Sequence, residues 1–276
     1  MMQIERTPPD IDNCKLVQAE LLTGQTGVRL TGVDIPEMTD DQLAEVKGLI
    51  SQYCVAVLPN QFISPDEHLA FVGRFDPITF TPGNDPHPEW PDIHVVNLAS
   101  TSTLPPMNGF HTDTSFVERP PSYTSLSPQK LPARGGDTVF TNQYMAYEAL
   151  SPVMKKMLTG LRLKHVVSHV TRPEDAPDPV WHPAVRTHPI TGRKALYLTQ
   201  PQRCFEAEGM KPRESANLIE FLYAHSQHIY AMYRHRWQPG DFVIWDNRCS
   251  MHGGVFDHGE DERIMHRVMC QGEKPY

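Results

Sequence analysis

The chain has 276 residues, 39% of them hydrophobic and 21% charged, a water-soluble composition with material for a sizeable core. Its formal charge of −8 excludes a broad nucleic-acid surface, which needs basic patches to displace counterions. The opening Met-Met-Gln-Ile-Glu-Arg lacks the apolar stretch of a signal peptide, residues 54–58 are too short to cross a membrane, and five cysteines without paired spacing read as reduced thiols; the expectation is a cytoplasmic protein with no membrane partner.

Residues 16–35 read as strand and turn, with Gly24, Gly27 and Gly32 set among β-branched residues. Thr39 and Gln42 have the spacing of a capping box, and Leu43, Val46, Leu49 and Ile50 then recur at helical period. Residues 54–58 predict a buried strand. Ser64 and Glu67 make a second capping box with Pro65 at the first helical position, so a helix is expected to about Phe75.

Proline, at 26 residues, is about twice its usual ~5% share and gathers between the apolar runs. Residues 76–91 and 99–109 therefore read as long loops around a strand at 93–98, and loops of that length are commonly lids or binding loops. Strands are expected at 123–126 and 138–141, on either side of Gly135-Gly136. A helix over 144–161, broken at Ser151-Pro152, leads to a strand at 161–170 and a third proline-rich loop at 171–183. Residues 185–188 and 195–198 flank Thr191-Gly192 as a hairpin, and a helix follows at 213–228. Strands at 229–237, 241–245 and 263–270 close the chain. The pattern predicts a mainly β fold with peripheral helices, a sandwich or barrel, in one domain over residues 1–276.

Two stretches carry chemistry. In Phe110-His111-Thr112-Asp113, residues two apart on a strand would share a face, so His111 and Asp113 can meet one metal. A His-x-Asp alone is a weak sign, and His252 alone reads as a core or loop histidine. Together, two histidines and one carboxylate take one face of an octahedron and leave three positions open, as in non-heme Fe(II) oxygenases. On the last strand, period-2 geometry puts Arg263, Met265, Arg267 and Met269 on one face. Two arginines on a core strand are costly unless they meet anions, and guanidinium suits a bidentate grip on a carboxylate. The alternative is an edge strand with solvated arginines.

His111-Thr112-Asp113, Gly135-Gly136-Asp137-Thr138, Trp245-Asp246-Asn247-Arg248 with His252, and Arg263-Ile264-Met265-His266-Arg267 together resemble the taurine dioxygenase and 2,4-dichlorophenoxyacetate dioxygenase-like family. Arg263 lies eleven positions after His252, which matches that family's spacing. The resemblance covers nearly the whole chain. It implies a double-stranded β-helix (jelly roll) core and a dioxygenase that uses Fe(II), 2-oxoglutarate and O2. It makes His111, Asp113 and His252 the metal ligands and has Thr138 and Arg263 bind the distal carboxylate of 2-oxoglutarate. Arg267 aligns with the family's grip on the substrate anion. The reaction implied is hydroxylation of a C–H bond in a small anionic substrate, with succinate and CO2 released. Asp113 itself argues against chlorination, because related halogenases lack that carboxylate. The family commonly forms dimers or tetramers, so a homo-oligomer is expected.

The sequence departs from the taurine enzyme at Ile78-Thr79-Phe80-Thr81-Pro82 and at Pro105-Pro106-Met107-Asn108-Gly109-Phe110, where groups that would meet an amine are missing. A more apolar acid is therefore expected: a longer sulfonate, a sulfate ester, a phenoxyalkanoate or another carboxylate. Phe80, Met107, Phe116 and Phe205 are candidate pocket residues, each also readable as core. Two alternatives stay open: desaturation or another oxidation of an amino-acid-derived acid, and a non-catalytic or zinc-binding barrel, since zinc accepts the same ligands.

Overall fold

The computed structural model describes residues 11, 14–79, 86–97, 109–167 and 177–276. The early strands are β1 (Gln18–Leu21), β2 (Val28–Thr31), β3 (Val55–Leu58), β4 (Ile78–Thr79), β5 (His94–Asn97), β6 (Pro121–Lys130), β7 (Thr138–Asn142) and β8 (Arg162–His165). The later ones are β9 (Val180–Pro183), β10 (Val185–Thr187), β11 (Lys194–Leu196), β12 (Cys204–Ala207), β13 (Met232–His235), β14 (Phe242–Asp246), β15 (Ser250–Gly254) and β16 (Ile264–Gln271). The helices are α1 (Asp40–Tyr53), α2 (Pro65–Gly73), α3 (Gln143–Glu148), α4 (Pro152–Leu158) and α5 (Pro212–His225).

Both capping boxes form as the spacing predicts. The Thr39 side chain accepts from the Gln42 amide and the Ser64 side chain from the Glu67 amide, satisfying amides that a helix start leaves orphaned. The large sheet runs β1-β2-β3-β14-β6-β16-β4, with β5 also paired to β16, and a second sheet runs β13-β7-β15. Strand alternation explains how they stack. Val55 and Val57 of β3, Val243 and Trp245 of β14, Leu126 and Met265 turn inward and meet Phe140 of β7 and Trp237. The alternate residues Ala56, Leu58, Phe242, Ile244, Val268 and Cys270 turn outward and are covered by Leu43, Val46, Leu49 and Ile50 of α1 and Phe71 and Val72 of α2. The result is a jelly roll with helices packed on the outside of its larger sheet. A third cluster joins α5 (Leu218, Ile219, Leu222) to β8, β11 and β12 and reaches Met251 of β15.

Several expectations need correction. Residues 180–183, expected inside a proline-rich loop, form β9 and pair with β8 in register from Arg162↔Pro183 to His165↔Val180. Proline ends that strand, where its missing N–H costs no ladder bond. Residues 229–231 are a 3-10 turn rather than strand. The segment Ser250–Gly254 is the strand β15, paired with β7; its small residues hid it. The strand β12 was likewise not expected. Phe80 and Met107, and most of the loop at 99–109, lie outside the described residues.

Candidate active site

His111 is placed by a single bridge to β15. His111 N–H donates to the His252 carbonyl and His252 N–H to the His111 carbonyl, each at 2.9 Å, so the two histidines face each other across an antiparallel pair. Their rings lie 4.3 Å apart. The strand argument for Asp113 does not hold, because the chain leaves the bridge into a turn at residues 113–116, with Thr114 at φ 44°. The turn brings the carboxylate back to the same place: His111 Nε2 is 3.8 Å from Asp113 Oδ1, and His252 Nε2 is 3.8 Å from Asp113 Oδ2.

The donors fit one metal ion. Two atoms each ~2.1 Å from a metal stand between about 3.0 Å apart at a right angle and about 4.2 Å apart when opposite. Both histidine-to-carboxylate separations, 3.8 Å, fall in that window, all three donor atoms lie within 4.8 Å of one another, and all three residues are largely buried. His111 Nδ1 sits 3.2 Å from the Gly109 carbonyl, which holds the proton on Nδ1 and leaves Nε2 a lone pair for metal. Burial pushes both imidazoles down, His252 to about 3, so they are neutral at pH 7. Burial would raise Asp113, but the His252 and His111 rings, the Arg267 guanidinium and the Thr124 hydroxyl outweigh it and bring the carboxyl down to about 2. The set is thus deprotonated and ready to ligate.

A relay of side chains behind the triad was not visible in the sequence. Thr124 Oγ1 donates to Asp113 Oδ2 at 2.9 Å, Asn247 Nδ2 donates to Thr124 Oγ1 at 2.7 Å, and Trp245 Nε1 donates to Asn247 Oδ1 at 3.2 Å. The Trp245 ring also packs on His252, with centroids 4.5 Å apart. The turn into β15 is locked separately. Arg248 chelates Asp246 through Nε at 2.8 Å and Nη2 at 2.6 Å and lies over the Tyr123 ring. His188, Asp246 and Cys249 also cluster with ligand-type atoms. Because Arg248 takes both Asp246 oxygens, that knot serves structure rather than metal.

Arg263 enters from the start of β16. It is 3% exposed, and among the described residues no carboxylate lies within ion-pair distance of it. Its Nε donates to the Gly136 carbonyl at 2.7 Å and its Nη2 to Thr138 Oγ1 at 3.3 Å, while Trp237 Nε1 also donates to that hydroxyl. Burial lowers the guanidinium to about 10, partly countered by Asp137. A buried cation without a counterion is costly, so this pocket suits an anion. Gly136 is required there: at φ 71°, an added Cβ would stand 2.9 Å from Arg263 Cδ.

One cavity joins these parts. Its walls are Val96, His111, Leu126, Thr138, Trp245, His252, Gly254, Arg263 and Arg267. Phe116 does not line it; the residue is buried in the turn after Asp113. Phe205 is half-buried on β12, in the sheet that packs against α5, and is likewise absent from the wall. Arg267 does line it, but it is not a free cation. Its Nη1 is 3.3 Å from Asp113 Oδ1, and its Nε and Nη2 reach His94 Nδ1 at 3.2 and 2.7 Å. His94 carries no motif, and only the β5–β16 register, which pairs it with Arg267, reveals it.

A jelly roll that lines one cavity with two histidines and a buried arginine, with a carboxylate clustered on those histidines, defines a mononuclear, Fe(II)- and 2-oxoglutarate-dependent class of dioxygenase. The taurine catabolism dioxygenase TauD, TfdA family matches residues 18–269, and the chain belongs to it. The chain is similar to an alpha-ketoglutarate-dependent sulfonate dioxygenase of Saccharomyces cerevisiae, 29% identical over 96% of this chain and 69% of that one. It is similar as well to the alpha-ketoglutarate-dependent 2,4-dichlorophenoxyacetate dioxygenase of Cupriavidus pinatubonensis, 30% identical over 80% and 86%. A crystal structure of a taurine dioxygenase from Burkholderia xenovorans superposes with a TM-score of 0.84 at 29% identity, covering 95% of this chain and 91% of that one. Among the described residues, no helix is long and apolar enough to cross a membrane.

Proposed function

We propose that this chain, acting as one domain, hydroxylates a C–H bond of a small anionic organic acid while 2-oxoglutarate is converted to succinate and CO2. The observation that carries this reading is the shared cavity: His111, His252 and Arg263 line the same space, and the Asp113 carboxylate stands 3.8 Å from both histidines just behind that wall. His111, Asp113 and His252 hold Fe(II), and Thr138 and Arg263 hold the distal carboxylate of the co-substrate. When bound, the metal with 2-oxoglutarate and O2 supplies the oxidant. The chain's own residues do the rest. Trp245 and Leu126 keep the cavity apolar, Thr124 fixes the Asp113 carboxylate, and Arg267 meets the substrate's oxyanion. Relatives named for sulfonates and for 2,4-dichlorophenoxyacetate support an acid as substrate.

The test is a panel of acids: taurine, hexanesulfonate, dodecyl sulfate and 2,4-dichlorophenoxyacetate. Each is assayed for succinate release and product mass. An acid that raises succinate release and gains one oxygen atom supports the reading, whether in one product or summed over the two fragments into which a hydroxyl beside sulfur or oxygen collapses. Succinate release that no acid stimulates, or a product that has lost two hydrogens instead, goes against it.

A further inference from the structure

We propose that His94 is a positioning residue that presents Arg267 to the substrate's oxyanion. The inference rests on the reading of Arg267 as the anion grip and adds the group that aims it. His94 is 3% exposed and sits on β5 directly opposite Arg267 of β16.

The donor count shows what the contact does. A guanidinium has five N–H groups. Nε and one Nη2 hydrogen point at His94 Nδ1, and one Nη1 hydrogen points at Asp113 Oδ1. Among the described residues that leaves one N–H on each terminal nitrogen, a pair suited to the two oxygens of a carboxylate, sulfonate or sulfate. The imidazole is neutral, lowered to about 3 by burial and by the Arg267 charge, so Nδ1 accepts. Without this acceptor, the nearest partner for the freed edge is Asp113, already 3.3 Å away. Arg267 would close on the carboxylate as a bidentate pair and give the substrate fewer donors. His94 therefore divides the guanidinium between a metal ligand and the cavity. The oxyanion is then held at a fixed place beside the triad, which determines which carbon of the acid is presented for oxidation.

The test uses isothermal titration of anaerobic enzyme loaded with Fe(II) and 2-oxoglutarate, with hexanesulfonate and 2,4-dichlorophenoxyacetate as probes. His94→Leu removes the acceptor, whereas His94→Asn keeps an oxygen near the position of Nδ1. The expected result is about a tenfold weaker Kd for the bound probe in His94→Leu, the loss of about one charged hydrogen bond. His94→Asn is expected within about threefold of wild type, with the 2-oxoglutarate Kd and Tm unchanged in both. Wild-type affinity in His94→Leu alongside lost binding in Arg267→Ala overturns the role of His94 and leaves the anion grip standing. Equal losses in the Leu and Asn variants also overturn it. If Arg267→Ala binds as wild type, or wild type binds neither probe, the anion reading fails first and this inference fails with it.

Discussion

Arg263 makes the co-substrate testable one side chain at a time. Its buried charge has hydrogen bonds to Gly136 and Thr138 but no carboxylate partner among the described residues. Replacing it by Met should raise the KM for 2-oxoglutarate by about tenfold to a hundredfold, the cost of losing charged hydrogen bonds. Metal affinity should be unchanged, and steady-state kinetics with Fe(II) titration measures both. Thr124→Val should do the opposite. It removes the hydrogen bond that orients Asp113, so Fe(II) affinity should fall by about tenfold or more while the 2-oxoglutarate KM holds. That His111, Asp113 and His252 cluster, and that Thr138 meets Arg263, could be expected from ordered motifs that resemble a known family. Thr124, Asn247 as a relay and His94 were not legible, because a hydroxyl or imidazole acquires such a role only through strand register, and no local pattern records it.

Among the elements, the helices were the easiest to read. Their starts are local chemistry: a hydroxyl at the cap, a carboxylate or amide three residues on, and proline at the first turn. The strands β3 and β14 were legible as apolar runs, but nothing in Val55–Leu58 or Phe242–Asp246 says which residues face which layer; the packing decides that. The strand β15 escaped notice because Ser-Met-His-Gly-Gly lacks β-branched residues and is held by pairing with β7. The link from Gly135 to β7 is sensitive to a single change. Gly136→Ala would place a Cβ 2.9 Å from Arg263 Cδ and 3.1 Å from Pro132 Cγ, at a φ that alanine resists. It should cost about 1–3 kcal/mol of stability and raise the 2-oxoglutarate KM together with it. A variant with wild-type Tm and wild-type KM would show that this approach is looser than the structure gives.

For the whole molecule, the buried histidines set the acid limit. Burial pushes His68 and His94 down to about 3 and His182 to about 4, from an ordinary 6.5. Since the folded values lie below the unfolded one, the unfolded chain binds more protons as pH drops below 6.5. Their contribution is complete above that point and is lost progressively as pH falls toward 3–4. At pH 5 each such histidine costs about 2 kcal/mol relative to pH 7, an order-of-magnitude figure. Asp113 adds to the loss only below its unfolded value of 3.8. Thermal unfolding should therefore show Tm falling between pH 7 and pH 5, and His68→Phe should flatten that slope. A Tm independent of pH over this range would contradict the neutral burial of these rings. The jelly roll itself was legible from the ordered motifs more than from the strand pattern, because many short strands suit several β architectures equally.

That one site joins the metal triad to the 2-oxoglutarate arm is tested most directly by anaerobic absorption spectroscopy of the purified protein. A weak visible band should appear only when Fe(II) and 2-oxoglutarate are both present, and its 2-oxoglutarate midpoint should move upward in Arg263→Met. Absence of the band with both present, together with tightly retained zinc that Fe(II) does not displace, would contradict the account.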